Sequence, residues 1–403
     1  MSLRPRGFAF TLLVAALVAL PPLSIDMSLP ATDRIGAALG APASQTGMTL
    51  SLFMAGFALA QLGFGPLSDR FGRRVPLIAT CALFGASGFF CAFTGSIDAL
   101  LFWRFVQGAG AGGATVLAFA IVRDLFEGSQ ARARMATISA VMTAAPMLAP
   151  GIGALILRLA DWRTIFLLLA LAGVALVLVV GFAFAESIRA ADPGALAVRP
   201  LLRNYARALT HRVSVGHSLL AGLSFGCMFA FVSGSPFVFI GALGLGTGWY
   251  ALLFATGTLG LTAGSLLCGR LVALGVGARR LLAAGVIGQA AFSLALLALA
   301  WAGLFRVADS LPLIVLANVC VGVITPLAVH GAMEPFPEMA GVASAVCGCI
   351  RMLGGAAASA LVAWLFAGTP TALPLAMTVF STASVLTWLV LLRPATRTAA
   401  SSR

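Results

Sequence analysis

Three ionisable residues stand inside stretches otherwise suited to hydrocarbon. Asp26 closes a run of eighteen uncharged residues, Phe8 to Ile25, within "LSIDMSLPA" (23–31). Arg104 lies in "LFWRFVQGAGAGG" (101–113), and Arg351 in "CGCIRMLGG" (347–355). An ionisable side chain at the centre of a bilayer costs roughly 2.5–3.5 kcal/mol on insertion scales, so a chain that keeps one usually uses it. The chemistry on offer is narrow. A carboxylate takes up and releases protons, while a guanidinium stays charged and presents five donors. No nucleophile–base set, phosphate loop or metal-spaced His/Cys/Asp cluster accompanies them, and His211, His217 and His330 are the only histidines.

The elements that must position these residues follow from composition. The chain has 403 residues, 61% hydrophobic and 9% charged, against about 25% charged in a soluble protein. Uncharged runs of membrane-crossing length recur along it. The expected fold is an all-α polytopic membrane protein with twelve spans, at about 8–29, 48–67, 75–95, 99–122, 135–157, 164–185, 213–239, 249–274, 281–304, 311–333, 340–366 and 373–392. The first lacks a small-residue cleavage site and reads as a retained span. A polar stretch divides the spans six and six. It gives an N-terminal bundle at 1–185, an inter-bundle loop at 186–212 and a C-terminal bundle at 213–403. The seven cysteines fall in or beside apolar runs without zinc or disulfide spacing, so they read as small core residues.

All 25 basic residues are arginine, and the formal charge is +13. With the N-terminus inside, nineteen arginines fall in cytoplasmic segments, four face outward (Arg34, Arg158, Arg163, Arg306) and two lie within spans. Retention of positive charge on the inner side explains this pattern better than nucleic acid does, and it predicts both termini in the cytoplasm. In that orientation Asp26 lies about four residues from the outer end of the first span and Arg104 about five from the outer end of the fourth. At 1.5 Å per residue their depths nearly coincide. If those spans are neighbours, the two residues are at the right depth to pair; whether they do is left open by the sequence. Burial favours a neutral carboxyl and a nearby cation a charged one, so a cycle exchanging these surroundings carries a proton. The other reading is a static ion pair.

Three further motifs stand out. "GPLSDRFGRR" (65–74) places Gly65, Asp69, Arg70, Gly72, Arg73 and Arg74 in a turn after the second span, and "GRLVALGVGARR" (269–280) follows the eighth with related residues. The halves therefore read as parallel repeats. By itself the turn is either a solvated hairpin or a site where Asp69 engages an arginine or a helix N-terminus. In the fourth span Arg104, Gln107, Gly108 and Ala111 share a face. In the fifth, "APMLAPGIGALI" (145–156) carries Pro146, Pro150, Gly151 and Gly153, which suit close helix packing.

The first of these resembles motif A of the major facilitator superfamily almost residue for residue. The second resembles motif B, and the third motif C of antiporters, with the usual Gly-Pro order altered. "PLSIDMSLPATDRI", "DWRTIF" (161–166), "FVSGSPFVF" (231–239) and "AMEPFPEMAGVASAV" (332–346) resemble the bicyclomycin/chloramphenicol-resistance branch of drug/proton antiporters. The resemblance implies the major facilitator fold, with two pseudo-symmetric six-helix halves. It implies proton coupling through Asp26 and Arg104. It implies a conformational latch at Gly65, Asp69, Arg70, Gly72 and Arg73, with Asp124 of "VRDLF" as its acid partner. Some exporters of the wider branch carry another acid two turns before Asp26. Here that position is Val18, which leaves a single carboxylate.

Candidates for the substrate cavity are Asp26, Arg104, Gln107, Phe229, Ser233, Asn318 and Arg351. Arg351 either meets substrate or satisfies itself with carbonyls and water. The expected activity is proton-driven export of small neutral or anionic amphiphiles, such as amphenicols, bicyclomycin-like compounds or sulfonamides. Carriage of one specific metabolite is the alternative, and a membrane enzyme a remote third. The expected setting is a monomer in a bacterial cytoplasmic membrane. Its expected partners are a small-molecule substrate, protons and the lipid bilayer. Neither cofactor, metal nor nucleic acid is expected, the proton gradient supplying the energy.

Overall fold

A chain immersed in hydrocarbon must satisfy its own backbone polar groups, and helices do so within one segment. The computed structural model describes residues 7–188 and 192–392, and contains no strand among them. Among the described residues twelve helices are long and apolar enough to cross a membrane. Arg4, Arg6, Arg189, Arg393, Arg397 and Arg403, and with them the expected placement of both termini, lie outside the described residues.

In chain order the helices are α1 (Phe8–Asp26), α2 (Thr32–Leu39), α3 (Ala43–Phe71), α4 (Arg74–Phe93), α5 (Ile97–Leu125), α6 (Gly128–Leu159) and α7 (Arg163–Ala183). There follow α8 (Val198–Thr210), α9 (Arg212–Ser235), α10 (Thr247–Ala273), α11 (Ala278–Trp301), α12 (Val307–Met333), α13 (Ala340–Leu365) and α14 (Ala372–Thr387). The chain forms two compact units, with the break between Leu201 and Leu202; the first turns of α3, Pro42–Ser51, belong to the second unit.

In the first unit, α3 and α5 cross with backbones nearly touching. A Cβ added to Gly108 would lie 1.9 Å from the carbonyl oxygen of Phe53, and one added to Gly56 2.0 Å from that of Phe105. Only glycine allows that approach, and small residues are what membrane helices use to pack closely. In the second unit α9 and α13 cross in the same manner at Gly222 and Gly354.

Two expectations change. The first span was expected to run to residue 29, but α1 ends at Asp26. There Ser28 Oγ donates to the Ile25 and Ser24 carbonyls at 2.8 and 3.3 Å, and Pro30 enters a 3-10 turn, Leu29–Ala31. The stretch 186–212 was expected to be loop, yet it contains α8. Apolar Val198, Leu201, Leu202, Tyr205 and Leu209 recur at helical spacing between Arg199, Arg203 and Arg207. Its charge content masks that periodicity.

Candidate functional site

Arg104, in the first third of α5, is 1% exposed. Its Nη1 donates to Ser24 Oγ at 2.8 Å, to the Ser24 carbonyl at 3.3 Å and to Gln107 Oε1 at 2.7 Å. Ser24 Oγ in turn donates to Gln107 Oε1 at 3.2 Å. The guanidinium carbon lies 4.5 Å from the Phe53 ring centroid and 5.6 Å from that of Phe166. Such a desolvated cation over an aromatic face gains about 2 kcal/mol. Its Nε and Nη2, and Gln107 Nε2, have no hydrogen-bond partner among the described residues. The i, i+3 spacing predicted from "RFVQ" thus brings Arg104 and Gln107 onto one nitrogen–oxygen contact.

α1 and α5 are neighbours, the condition for Asp26 and Arg104 to pair, but the two residues form no ion pair. Asp26 is 5% exposed and makes no ion pair among the described residues. Helical geometry explains this. Ser24 takes the position facing Arg104, and a residue two further on is turned by about 200°. The residue after Asp26 packs on α6. A Cβ on Gly153 would sit 2.2 Å from the carbonyl oxygen of Met27, the next residue. Of the Gly/Pro set, Gly153 and Pro150 are buried, Pro146 is half-buried, and Gly151 has no neighbour where a Cβ would point. Only part of that motif makes a tight contact.

The motif-A stretch forms a second cluster in the same unit. Gly65, Asp69 and Arg70 belong to α3, not to a turn; the turn is Gly72, at φ 83°, with Arg73. Arg73 is 3% exposed. Its guanidinium contacts Asp69 Oδ1 at 2.6 Å and Asp124 Oδ2 at 2.8 Å, and donates to Ser68 Oγ at 2.5 Å. Burial alone would make Arg73 easier to deprotonate, but its two carboxylate partners outweigh this and hold its pKa above the ordinary value. Asp69 and Asp124 sit near helix C-termini, where a negative charge is unfavourable unless a cation accompanies it. Arg70 is exposed. Asp69 therefore engages an arginine of the turn that follows α3, and another acid takes the helix N-terminus.

That acid is Glu186, which the sequence reading assigned to the loop. Its Oε1 accepts from the backbone N–H groups of Arg73, Ser187 and Ile188 at 2.8, 2.9 and 3.2 Å, and its Oε2 from that of Arg74 at 3.1 Å. Burial would raise its pKa, but these donors hold it below the usual carboxylate value. Arg74 Nη2 donates to the Gly181 carbonyl, and Asp192 N–H to the Asp69 carbonyl at 2.9 Å. The only hint in sequence was an acid directly after the sixth apolar run.

The second unit treats its candidates differently. Arg351 is half-buried in α13, with its guanidinium 5.4 Å from the Phe225 ring centroid, and Phe225 stacks on Phe229 at 5.4 Å. Ser233 Oγ donates to the Phe229 carbonyl at 2.9 Å, and Asn318 Nδ2 to the Gly257 carbonyl at 3.0 Å. Both residues are buried and tie backbone within this unit. Among the described residues no group of His, Cys, Asp and Glu has the arrangement of a metal site.

Comparison with known proteins adds the following. The family model described as Major Facilitator Superfamily matches residues 8–359. The chain is 32% identical over 379 residues to the uncharacterized MFS-type transporter YdgK of Bacillus subtilis (strain 168), covering 94% of this chain and 93% of that one. It is 32% identical over 366 residues to a bicyclomycin resistance protein homolog of Haemophilus influenzae, covering 90% and 91%. It is 31% identical over 363 residues to the multidrug resistance protein MdtL of Salmonella paratyphi B, covering 89% and 88%. Among solved structures, a D-xylose-proton symporter superposes with TM-score 0.74 at 18% identity, covering 95% of this chain and 98% of that one. At that identity the likeness speaks for the fold alone.

Proposed function

The chain belongs to the major facilitator superfamily, as a multi-pass membrane transporter with bicyclomycin- and multidrug-resistance relatives, and from that premise we propose that it exports small neutral or anionic amphiphiles in exchange for protons. The observation that carries the reading is Asp26. It is a buried carboxylate at the end of an apolar helix, two residues beyond Ser24, which the buried Arg104 engages instead. A carboxylate so placed is a proton carrier, because its charged form is stabilised only when cation or water reaches it.

In this reading the chain sits in a bacterial cytoplasmic membrane with the α3–α4 and α10–α11 turns on the inner side, a placement that the arginine distribution supports. A monomer suffices, and the proton gradient supplies the energy. Arg104 holds Ser24 and Gln107 and so fixes the register of α1 against α5 beside Asp26. The cluster of Arg73, Asp69, Asp124 and Glu186 is the latch of the inner side, joining α3, α4 and α5. Preference for neutral and anionic compounds follows from the span charges, one acid and two arginines, which repel a lipophilic cation.

The test is a susceptibility screen in an efflux-deficient bacterial host expressing the chain. Raised tolerance to amphenicols or bicyclomycin-like compounds, abolished by a protonophore, is the expected outcome. No change for any drug, together with selective accumulation of one metabolite, would overturn drug export in favour of a dedicated metabolite carrier.

A further inference from the structure

The helix α8, in the stretch where the chain passes from one unit to the other, has three distinct faces. Ala208 is buried and Leu201, Asn204 and Tyr205 are half-buried, so one face is covered by protein. Val198, Leu202 and Leu209 are 66%, 60% and 52% exposed. At about 100° per residue these three lie within roughly 40° of one another, beside the covered face. Arg199, Arg203 and Arg207 follow on the next flank, and α8 carries no acid. Arg207 is engaged, 3.3 Å from Glu338 and over the ring of Phe336. Arg199 and Arg203 are exposed and form no ion pair among the described residues.

We propose that α8 is an interfacial anchor, laying Val198, Leu202 and Leu209 into the edge of the bilayer while Arg199 and Arg203 bind anionic lipid headgroups. An exposed apolar stripe bordered by arginines matches the apolar and negatively charged layers of a membrane surface in the order they occur. Continuity supports the same occupant. Only His211 separates α8 from α9, a membrane-crossing helix that begins at Arg212. The inference is independent of which compound the protein exports. It makes the link between the two units responsive to lipid charge.

The test uses the full chain in nanodiscs of phosphatidylcholine alone, or with a third phosphatidylglycerol. A nitroxide is placed at Leu202→Cys or, as reference, at Arg203→Cys, with unsubstituted protein setting the background from native cysteines. Collision rates with oxygen, which partitions into lipid, and with a nickel chelate, which stays in water, are compared. The oxygen-to-nickel ratio at position 202 should exceed that at 203 severalfold. In the Arg199→Gln/Arg203→Gln variant labelled at 202, the ratio should fall severalfold in anionic discs only. A label at 202 reached by nickel as readily as one at 203 puts α8 in water and overturns the proposal. Protection from both quenchers gives it a protein occupant, with the same consequence. A ratio that ignores phosphatidylglycerol in wild type and variant alike removes the headgroup role of the arginines.

Discussion

The turn between α3 and α4 and the turn between α10 and α11 both pass through a left-handed glycine, Gly72 and Gly275, each at φ 83°. Both carry a cluster of arginines. Around Gly72 one of them is locked: Arg73 contacts Asp69, Asp124 and Ser68, and a Cβ on Gly72 would strike the Glu186 carboxylate at 2.5 Å. Around Gly275, Arg270, Arg279 and Arg280 form no ion pair among the described residues, and space for a Cβ is open. The repeat thus keeps the backbone and the positive charge in both halves but builds an ion-pair cluster in only one. The span-embedded residues divide alike. The first unit holds the buried acid and an arginine with three hydrogen bonds, whereas Arg351 in the second has an aromatic face beside it. The difference teaches that backbone symmetry and chemical symmetry are separable. Retention of positive charge on one side of a membrane asks only for arginines in both turns, while the latch proposed above asks for acids in one.

The largest expected effect lies at Asp26. Asp26→Asn keeps shape and removes the titrating group, so proton-driven uptake of drug into everted vesicles should be lost while equilibrium binding survives. Uphill transport at the wild-type rate would move proton coupling elsewhere and break the asymmetry between halves. Next come the two turns. Arg73→Gln leaves Asp69 and Asp124 side by side without their cation; Asp69 is 43% exposed and solvent screens it, so the loss should be about 1–3 kcal/mol, below that of a fully buried pair. Arg280→Gln, at an exposed residue, should stay within about 0.5 kcal/mol. Thermal unfolding in detergent separates the two. Equal losses would mean that the Gly72 cluster is no more consequential than a solvated hairpin.

Arg351→Gln should have a smaller effect, on selectivity. Removing one of two span arginines lowers repulsion of cations, so efflux of a cationic dye should rise relative to a neutral amphenicol, by severalfold at matched expression. An unchanged dye-to-amphenicol ratio would show that the second unit's arginine faces away from substrate.

Most of the fold was legible because hydrocarbon imposes a simple rule: a helix needs about 20 apolar residues to cross, and the twelve runs found by counting reappear as the twelve spans. Arg104 and Gln107 were legible because i, i+3 spacing fixes their neighbourhood. The partner of Arg104 was not. Depth along two helices is readable from residue counts, but azimuth between them is set by packing, and it brought Ser24 rather than Asp26 to the guanidinium. Glu186 was missed for a related reason: it reaches Arg73 and Arg74 across more than a hundred residues of sequence. The helix α8 was hidden by weighing its arginines and not its period.

The smallest expected effect also probes the Gly72 turn, through pH. Glu186 accepts four backbone N–H groups, two of them, Arg73 and Arg74, at the start of α4. These donors hold its pKa below that of an ordinary glutamate. A carboxyl depressed in the folded state adds stability that is fully present above its unfolded pKa and is lost as pH falls through the folded one. Glu186 is exposed on one side, so solvent screens the contribution. Glu186→Gln should lower Tm at pH 7 by about 1–2 °C. That gap should hold down to the ordinary carboxylate range and close below it, as wild-type Glu186 protonates. The equivalent turn at Gly275 has no such acid, so Arg279→Gln should leave the pH dependence of Tm as it is in wild type. A gap for Glu186→Gln that persisted unchanged well below the carboxylate range would mean that the side chain acts by shape and not by charge. The two turns would then differ less in electrostatics than their ion pairs suggest.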